Sequence, residues 1–263
     1  FGDPVVEPPE VITTEVPKKV VGLILAEFKD KKARELAYWL SLLAETPIPD
    51  SLLPILMPEA EEADLENWRD NELLNFGLLQ RVDSESAIMD PEVQEFVGVE
   101  LLYELKEEDS VKNVCGAIAA IGKAMPDKLT GEEIVAIAPV MPHVAKFATT
   151  FVMELEDEEL IWPFVGLAKY YISEGLYDLA EEWLEQGLLD ARDAFESRNL
   201  DWAFLLNYLA DLYFQQQRYE EANVLYLDAL EIRKELLGRI HPDVIATEKT
   251  LQAISQMKGS GRS

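Results

Sequence analysis

Sliding the chain by 42 residues superposes Leu167 on Leu209, Ala168 on Ala210, Tyr171 on Tyr213, Tyr177 on Tyr219, Ala180 on Ala222 and Leu188 on Leu230. Identities at a fixed period of this length mark a stacked repeat, in which each unit buries its apolar face on the next. The spacing within a copy reads as two antiparallel helices. Small Ala168 and Ala180 allow them to approach closely, while Phe164, Leu167, Tyr171, Tyr177 and Leu184 fill the space around that contact. Gly175 falls in the inter-helix turn, where a positive φ is expected. The second copy keeps Leu206, Leu209, Ala210, Tyr213, Tyr219, Ala222, Tyr226, Ala229 and Leu230, with Gln217 in place of the turn glycine.

Upstream of the repeat the pattern is helical with one exception. The first sixteen residues, with Pro4, Pro8 and Pro9, show no period and read as an extended leader. Val20 to Phe28 and Leu36 to Leu43 give two helices before the break at Thr46-Pro47-Ile48-Pro49, after which Asp50 is expected to cap the next helix. Glu59 to Phe76 predicts a third long helix. Leu78 to Val82, the turn Asp83-Ser84-Glu85-Ser86, and Ala87 to Met89 form the single strand signal, a hairpin. Pro91 to Leu105 returns to helix. Three helices, a two-stranded wing and a closing helix make a winged-helix-like unit.

The predicted class is therefore all-α, a winged-helix-like unit followed by an α-α superhelix. The expected boundaries are a leader at 1–16, the winged unit at 17–110, a helical linker or degenerate repeat at 111–160, the repeats at 161–258, and a vector-derived scar or flexible linker at 259–263.

Charge narrows the partners. The formal net charge is −28, of which residues 35–110 carry −17, while 48% hydrophobic residues distinguish the chain from an acidic disordered tail. The third helix of the winged unit, the one that would enter a DNA groove, carries Glu61, Glu62, Asp64, Glu66, Asp70 and Glu72 against one base, Arg69. Neutralising phosphates with such a face runs against counterion release, so nucleic acid is excluded as a partner. No apolar run reaches the ~18 residues of a membrane span, and a single cysteine, Cys115 in an apolar stretch, fits a buried small hydrophobe in a reducing compartment. The expected location is cytoplasmic, with no membrane partner.

The repeat positions resemble the tetratricopeptide repeat, and the 42-residue period resembles its kinesin-light-chain subtype, with Ala229-Leu230-Glu231-Ile232, Leu237-Gly238 and His241-Pro242-Asp243-Val244 as the corresponding tail. A partial third copy follows, with Leu251 in register with Leu209. The resemblance implies that the first helix of each repeat lines a concave, protein-binding or peptide-binding face. By register that face holds Trp162, Val165, Lys169, Ile172 and Ser173, then Phe204, Asn207, Asp211, Phe214 and Gln215, then Lys249. Asn207 occupies the position at which the subtype bonds a peptide backbone. Lys169 and Lys249 would offer charge to an acidic group.

Thr46-Pro47-Ile48-Pro49, Leu73-Leu74 to Leu78-Leu79 and Asp90-Pro91-Glu92-Val93-Gln94-Glu95-Phe96 resemble the winged-helix segment of NB-ARC or STAND signal-transduction ATPases. Members of that group continue into tetratricopeptide repeats through a Pro-His element like Met141-Pro142-His143-Val144. This resemblance implies a nucleotide-binding domain elsewhere in a parent chain. At the position of the family's phosphate-contacting histidine stands Asp90, whose carboxylate would repel phosphate. There is no Walker-type loop in the sequence, so this segment alone cannot hydrolyse ATP.

Other chemistry finds little footing. Consecutive acids in Glu156-Asp157-Glu158-Glu159 point in different directions on a helix and read as a solvated helix start. His143 and His241 lack a second ligand at metal spacing, and His241-Pro242 reads as a helix-entry element. The sequence thus predicts a non-enzymatic interaction module without cofactor or metal, either the sensor arm of a larger signalling ATPase or a freestanding scaffold.

Overall fold

The computed structural model describes residues 18–28, 30–104, 109–155, 159–194 and 199–260. The expected leader, residues 156–158 of the acidic run and residues 261–263 lie outside them.

The first part contains helices α1 (Lys18–Glu27) and α2 (Lys31–Ser41), strand β1 (Ile48–Pro49), and helices α3 (Leu53–Leu56) and α4 (Glu62–Asn67). It continues through strands β2 (Gln80–Arg81) and β3 (Ser86–Ile88) to helix α5 (Pro91–Glu104). Asp30 starts α2 by accepting from the Lys32 amide at 2.9 Å, and its other oxygen accepts from the Trp68 indole at 2.9 Å. One carboxylate thereby fixes both a helix start and a core tryptophan.

Three local expectations are corrected here. The hairpin is not the only sheet element: Ile48–Pro49, read as a break, pairs antiparallel with β3 (Ile48 opposite Ala87, Pro49 opposite Ser86), giving the order β1-β3-β2. A proline is tolerated there because β1 is an edge strand. The long third helix is instead α4 followed by a wider π-type segment over Trp68–Leu74, which brings both Trp68 and Leu73 into the core. Asp50 does not cap a helix with its side chain. Its carboxylate accepts from Arg69 at 2.9 Å and Arg81 at 2.7 Å, since two guanidinium partners outweigh one backbone amide.

Helices α6 (Asp109–Ala124), α7 (Gly131–Ile137) and α8 (Met141–Thr150) follow, then α9 (Trp162–Glu174), α10 (Tyr177–Ala194), α11 (Leu200–Gln215), α12 (Tyr219–Leu237) and α13 (Pro242–Ser260). One apolar cluster runs from Val21 through Trp39, Leu73, Val97, Ile118 and Phe147 to Phe164 and Leu167, so α1 to α6, α8 and α9 share a core. The Pro-His element supplies a polar tie within it. Fully buried His143 accepts from the Ala44 amide through Nδ1 and faces the Pro47 carbonyl with Nε2, each at 3.2 Å. Nε2 must therefore carry the proton, and burial pushes the imidazole pKa down to about 4.

The repeats pack through small residues, as their register requires. Ala168, Ala180, Ala210 and Ala222 are all fully buried in the cluster that contains Tyr226 and Leu184. Gly175 ends α9 with φ of 76°, and Gln217, its counterpart in the second copy, adopts the same left-handed region at 62°. A second close approach lies between α6 and α9. A Cβ on Gly166 would fall 2.5 Å from the Gly122 Cα, and one on Gly122 would overlap the Trp162 carbonyl oxygen.

Candidate functional site on the concave repeat face

Helices α9 and α11 present some of their predicted residues to a cleft of about 360 Å³ lined by Asp127, Lys169, Ile172, Tyr208, Asp211, Leu212, Phe214 and Gln215, while Trp162, Val165, Ser173, Phe204 and Asn207 lie outside it. Five of these were expected on the concave face from the resemblance and the repeat register: Lys169, Ile172, Asp211, Phe214 and Gln215. Asp127 and Tyr208 were not. Asp127 comes from the segment between α6 and α7, and Tyr208 donates to its carboxylate at 2.6 Å across the chain. That bond, followed by the Lys169 ammonium, lowers the Asp127 pKa below the ordinary carboxylate value.

Lys169 is not a free charge. It is 5% exposed, donates to the Met125 carbonyl at 2.7 Å, lies 3.2 Å from Asp127 and stands over the Tyr208 ring. The expectation that it offers charge to an acidic ligand is corrected on this geometry: its ammonium is consumed in holding the 125–129 segment against α9. Ser173 serves the same segment. Its hydroxyl accepts from the Leu129 amide at 3.0 Å and donates to the Lys169 carbonyl at 2.8 Å, so neither bonding direction points to a ligand.

Asn207 heads a different network. Its Nδ2 donates to Asp211 at 2.8 Å and its Oδ1 accepts from Arg233 at 2.9 Å, which in turn reaches Thr247 at 2.7 Å. Because a guanidinium can only donate, Arg233 fixes which end of the amide is oxygen. Asp211 also accepts from the Tyr226 hydroxyl. Burial raises the Asp211 pKa, opposed by the two hydrogen bonds it accepts, and burial likewise lowers that of Arg233. The network joins α11, α12 and α13, a continuity that local periodicity could not announce.

The remaining predicted residues fall at the edges. Trp162 stacks edge-on with Phe204 at 5.3 Å and lies under the Lys123 ammonium. Phe214 packs on Tyr219 at 5.5 Å while still reaching the cleft. Lys249 is exposed on α13 and does not line the cleft. Asp90 is remote from this face: its carboxylate accepts from the Glu92 amide at 2.9 Å, starting α5 ahead of Pro91. His241 uses Nδ1 to accept from the Asp243 amide at 3.3 Å, the helix-entry role expected of it. Burial, with the Glu154 and Glu159 carboxylates, pushes the Cys115 thiol up to about 12 and leaves no nucleophile there. Among the described residues no three His, Cys, Asp or Glu side chains converge as a metal site would need, and no helix is long and apolar enough to cross a membrane.

Residues 205–243, from Leu205 within α11 through α12 to the start of α13, match the family model of the tetratricopeptide repeat. A search of curated proteins returned no match. Among solved structures, a signal transduction ATPase with numerous domains that carries a tetratricopeptide repeat sensor, from Pyrococcus horikoshii, aligns at 15% identity and a TM-score of 0.30. That alignment covers 92% of this chain and 40% of the other, so the chain spans less than half of that protein. Residues 205–243 of this all-α chain thus carry a tetratricopeptide repeat, a protein-interaction module, and the paired helices, alanine contacts and 42-residue register extend the same pattern to α9 and α10.

Proposed function

We propose that the chain is a non-catalytic recognition arm that takes an extended peptide or protein segment on the concave face of its tetratricopeptide repeats. The observation that carries this reading is the state of Asn207. Arg233 and Asp211 hold its amide in one orientation and use one Nδ2 hydrogen, which leaves the second for a peptide carbonyl. Asn207 does not itself line the cleft, but its partner Asp211 does, and there Phe214, Ile172 and Tyr208 give an apolar wall for a side chain. Preorganisation of this kind reduces the ordering cost of binding.

The arm belongs, on this reading, to a larger NB-ARC or STAND-type signalling ATPase. Support comes from the order of parts in the sequence and from the shared core, through which a change at the repeats has a continuous packed route to the winged unit. The competing reading, a freestanding scaffold, is favoured by one observation: Asp90 is occupied as a helix cap where a phosphate contact would stand. Sequencing the gene upstream of the Phe1 codon separates them. A Walker-type loop within about 250 residues, one large domain's length, supports the ATPase arm, and a start codon immediately upstream excludes it.

Recognition is tested by affinity capture with the intact parent protein, followed by quantitative binding of the captured partner to Asn207→Ala and Phe214→Ala. Both variants are expected to weaken binding at least tenfold. Unchanged binding in both removes the concave face as the site.

A further inference from the structure

The winged unit and α7 enclose a second groove, of about 820 Å³, far from the concave cleft in composition and in the elements that build it. Its apolar surface is Pro47, Pro49, Val135, Ala136 and Pro139. Helix α7 is unusual in having no buried residue: its start is held by a capping box between Thr130 and Glu133, yet Val135 stands 74% exposed over the groove. Ile134 and Ile137 pack against the core, whereas Val135 and Ala136 on the same helix remain exposed and uncovered.

The charge on the groove is one-sided. Asp50, Asp83 and Glu85 line it, and no lysine, arginine or histidine is among the lining residues. Asp50 is balanced by Arg69 and Arg81, neither of which lines the groove. Asp83 and Glu85 at the wing tip are exposed and form no ion pair among the described residues, Arg81 acting on Asp83 only at longer range. Asp83 also accepts from the Glu85 amide at 2.8 Å, which holds its carboxylate at the tip. The surrounding segment, 35–110, holds −17 of the net −28, so the local field extends the same preference beyond the groove.

We propose that the groove between the wing tip and α7 is a docking site for a basic protein segment, an aliphatic side chain seated on Val135, Ala136 and Pro139 and lysine or arginine residues on either side of it paired with Asp83 and Glu85. Apolar contact supplies the anchor, and charge complementarity selects the partner and speeds its encounter. The site is independent of the concave face, and its partner need not be the same molecule.

The test pans a phage-displayed library of 12-residue peptides against the full chain, with the Asn207→Ala, Phe214→Ala double variant as a second bait. Enriched peptides are synthesised and their binding read by fluorescence polarisation. Val135 is exposed, so Val135→Asp, and the pair Asp83→Lys with Glu85→Lys, are expected to fold as the parent does, which circular dichroism verifies. The expected outcome is a set of peptides with two or more basic residues flanking an aliphatic one, retained on the double variant. Their affinity falls at least tenfold in Val135→Asp and in the charge-reversed pair, and weakens as salt rises. Enrichment of peptides lacking basic residues, binding indifferent to both groove variants, or no enriched peptide at all overturns the proposal. So does concentration-dependent self-association in sedimentation that Val135→Asp abolishes, because the occupant would then be a second copy of the chain.

Discussion

Gly122 and Gly166 bring α6 and α9 into backbone contact, so close that a methyl group on either would collide with the other helix. This is the joint between α6, which packs in the core shared with α1 to α5, and α9, the first helix of the repeated pair. Gly166→Ala must separate the two helices or distort one, at about 3 kcal/mol by analogy with overpacked cores. Urea denaturation of Gly166→Ala should show a loss of that order. Gly131→Ala, where nothing lies near the added Cβ, should be within about 0.5 kcal/mol of the parent.

His143 makes a pH prediction of definite sign. Its folded pKa of about 4 lies below the ordinary 6.5, so between these values the unfolded chain binds a proton that the folded chain refuses. Its contribution is intact above pH 6.5, falls as the pH drops, and levels off below pH 4, with a total cost on the order of 3 kcal/mol. In His143→Gln the amide can accept from Ala44 and donate to Pro47 without titrating. The difference in stability between the two proteins should therefore shift toward the variant between pH 6.5 and 4, measured by denaturation at stepped pH.

The two lysines expected on the concave face separate cleanly. Lys169→Met removes the donor to the Met125 carbonyl inside the fold and should cost about 2 kcal/mol. Lys249→Met alters an exposed side chain and should change stability by less than about 0.5 kcal/mol. Thermal or urea unfolding of the pair distinguishes a structural clamp from a surface charge.

This contrast also marks how far the sequence could be read. The helix pairs were legible because Ala168, Ala180, Ala210 and Ala222 recur at a period that only close helix packing explains. Register placed Lys169 on α9 and Asn207 on α11, the first helix of each pair. It could not tell that Lys169 would meet Met125, 44 residues away, or that Tyr208 would bond Asp127, because those contacts depend on how the helices before the repeats fold back. Strand β1 escaped notice for a different reason: two residues, one a proline, carry no alternation to detect. Arg233 and Thr247, which orient Asn207, belong to two later helices and have no local pattern linking them to it.

The most direct test of concave-face recognition is amide hydrogen exchange on the intact parent protein, alone and with the partner it captures. The account predicts slowed exchange in residues 199–216 and in the 125–130 segment that forms the other wall of the cleft, with the slowing abolished in Asn207→Ala. Protection confined to other parts of the chain, with both of those segments unchanged, would contradict it.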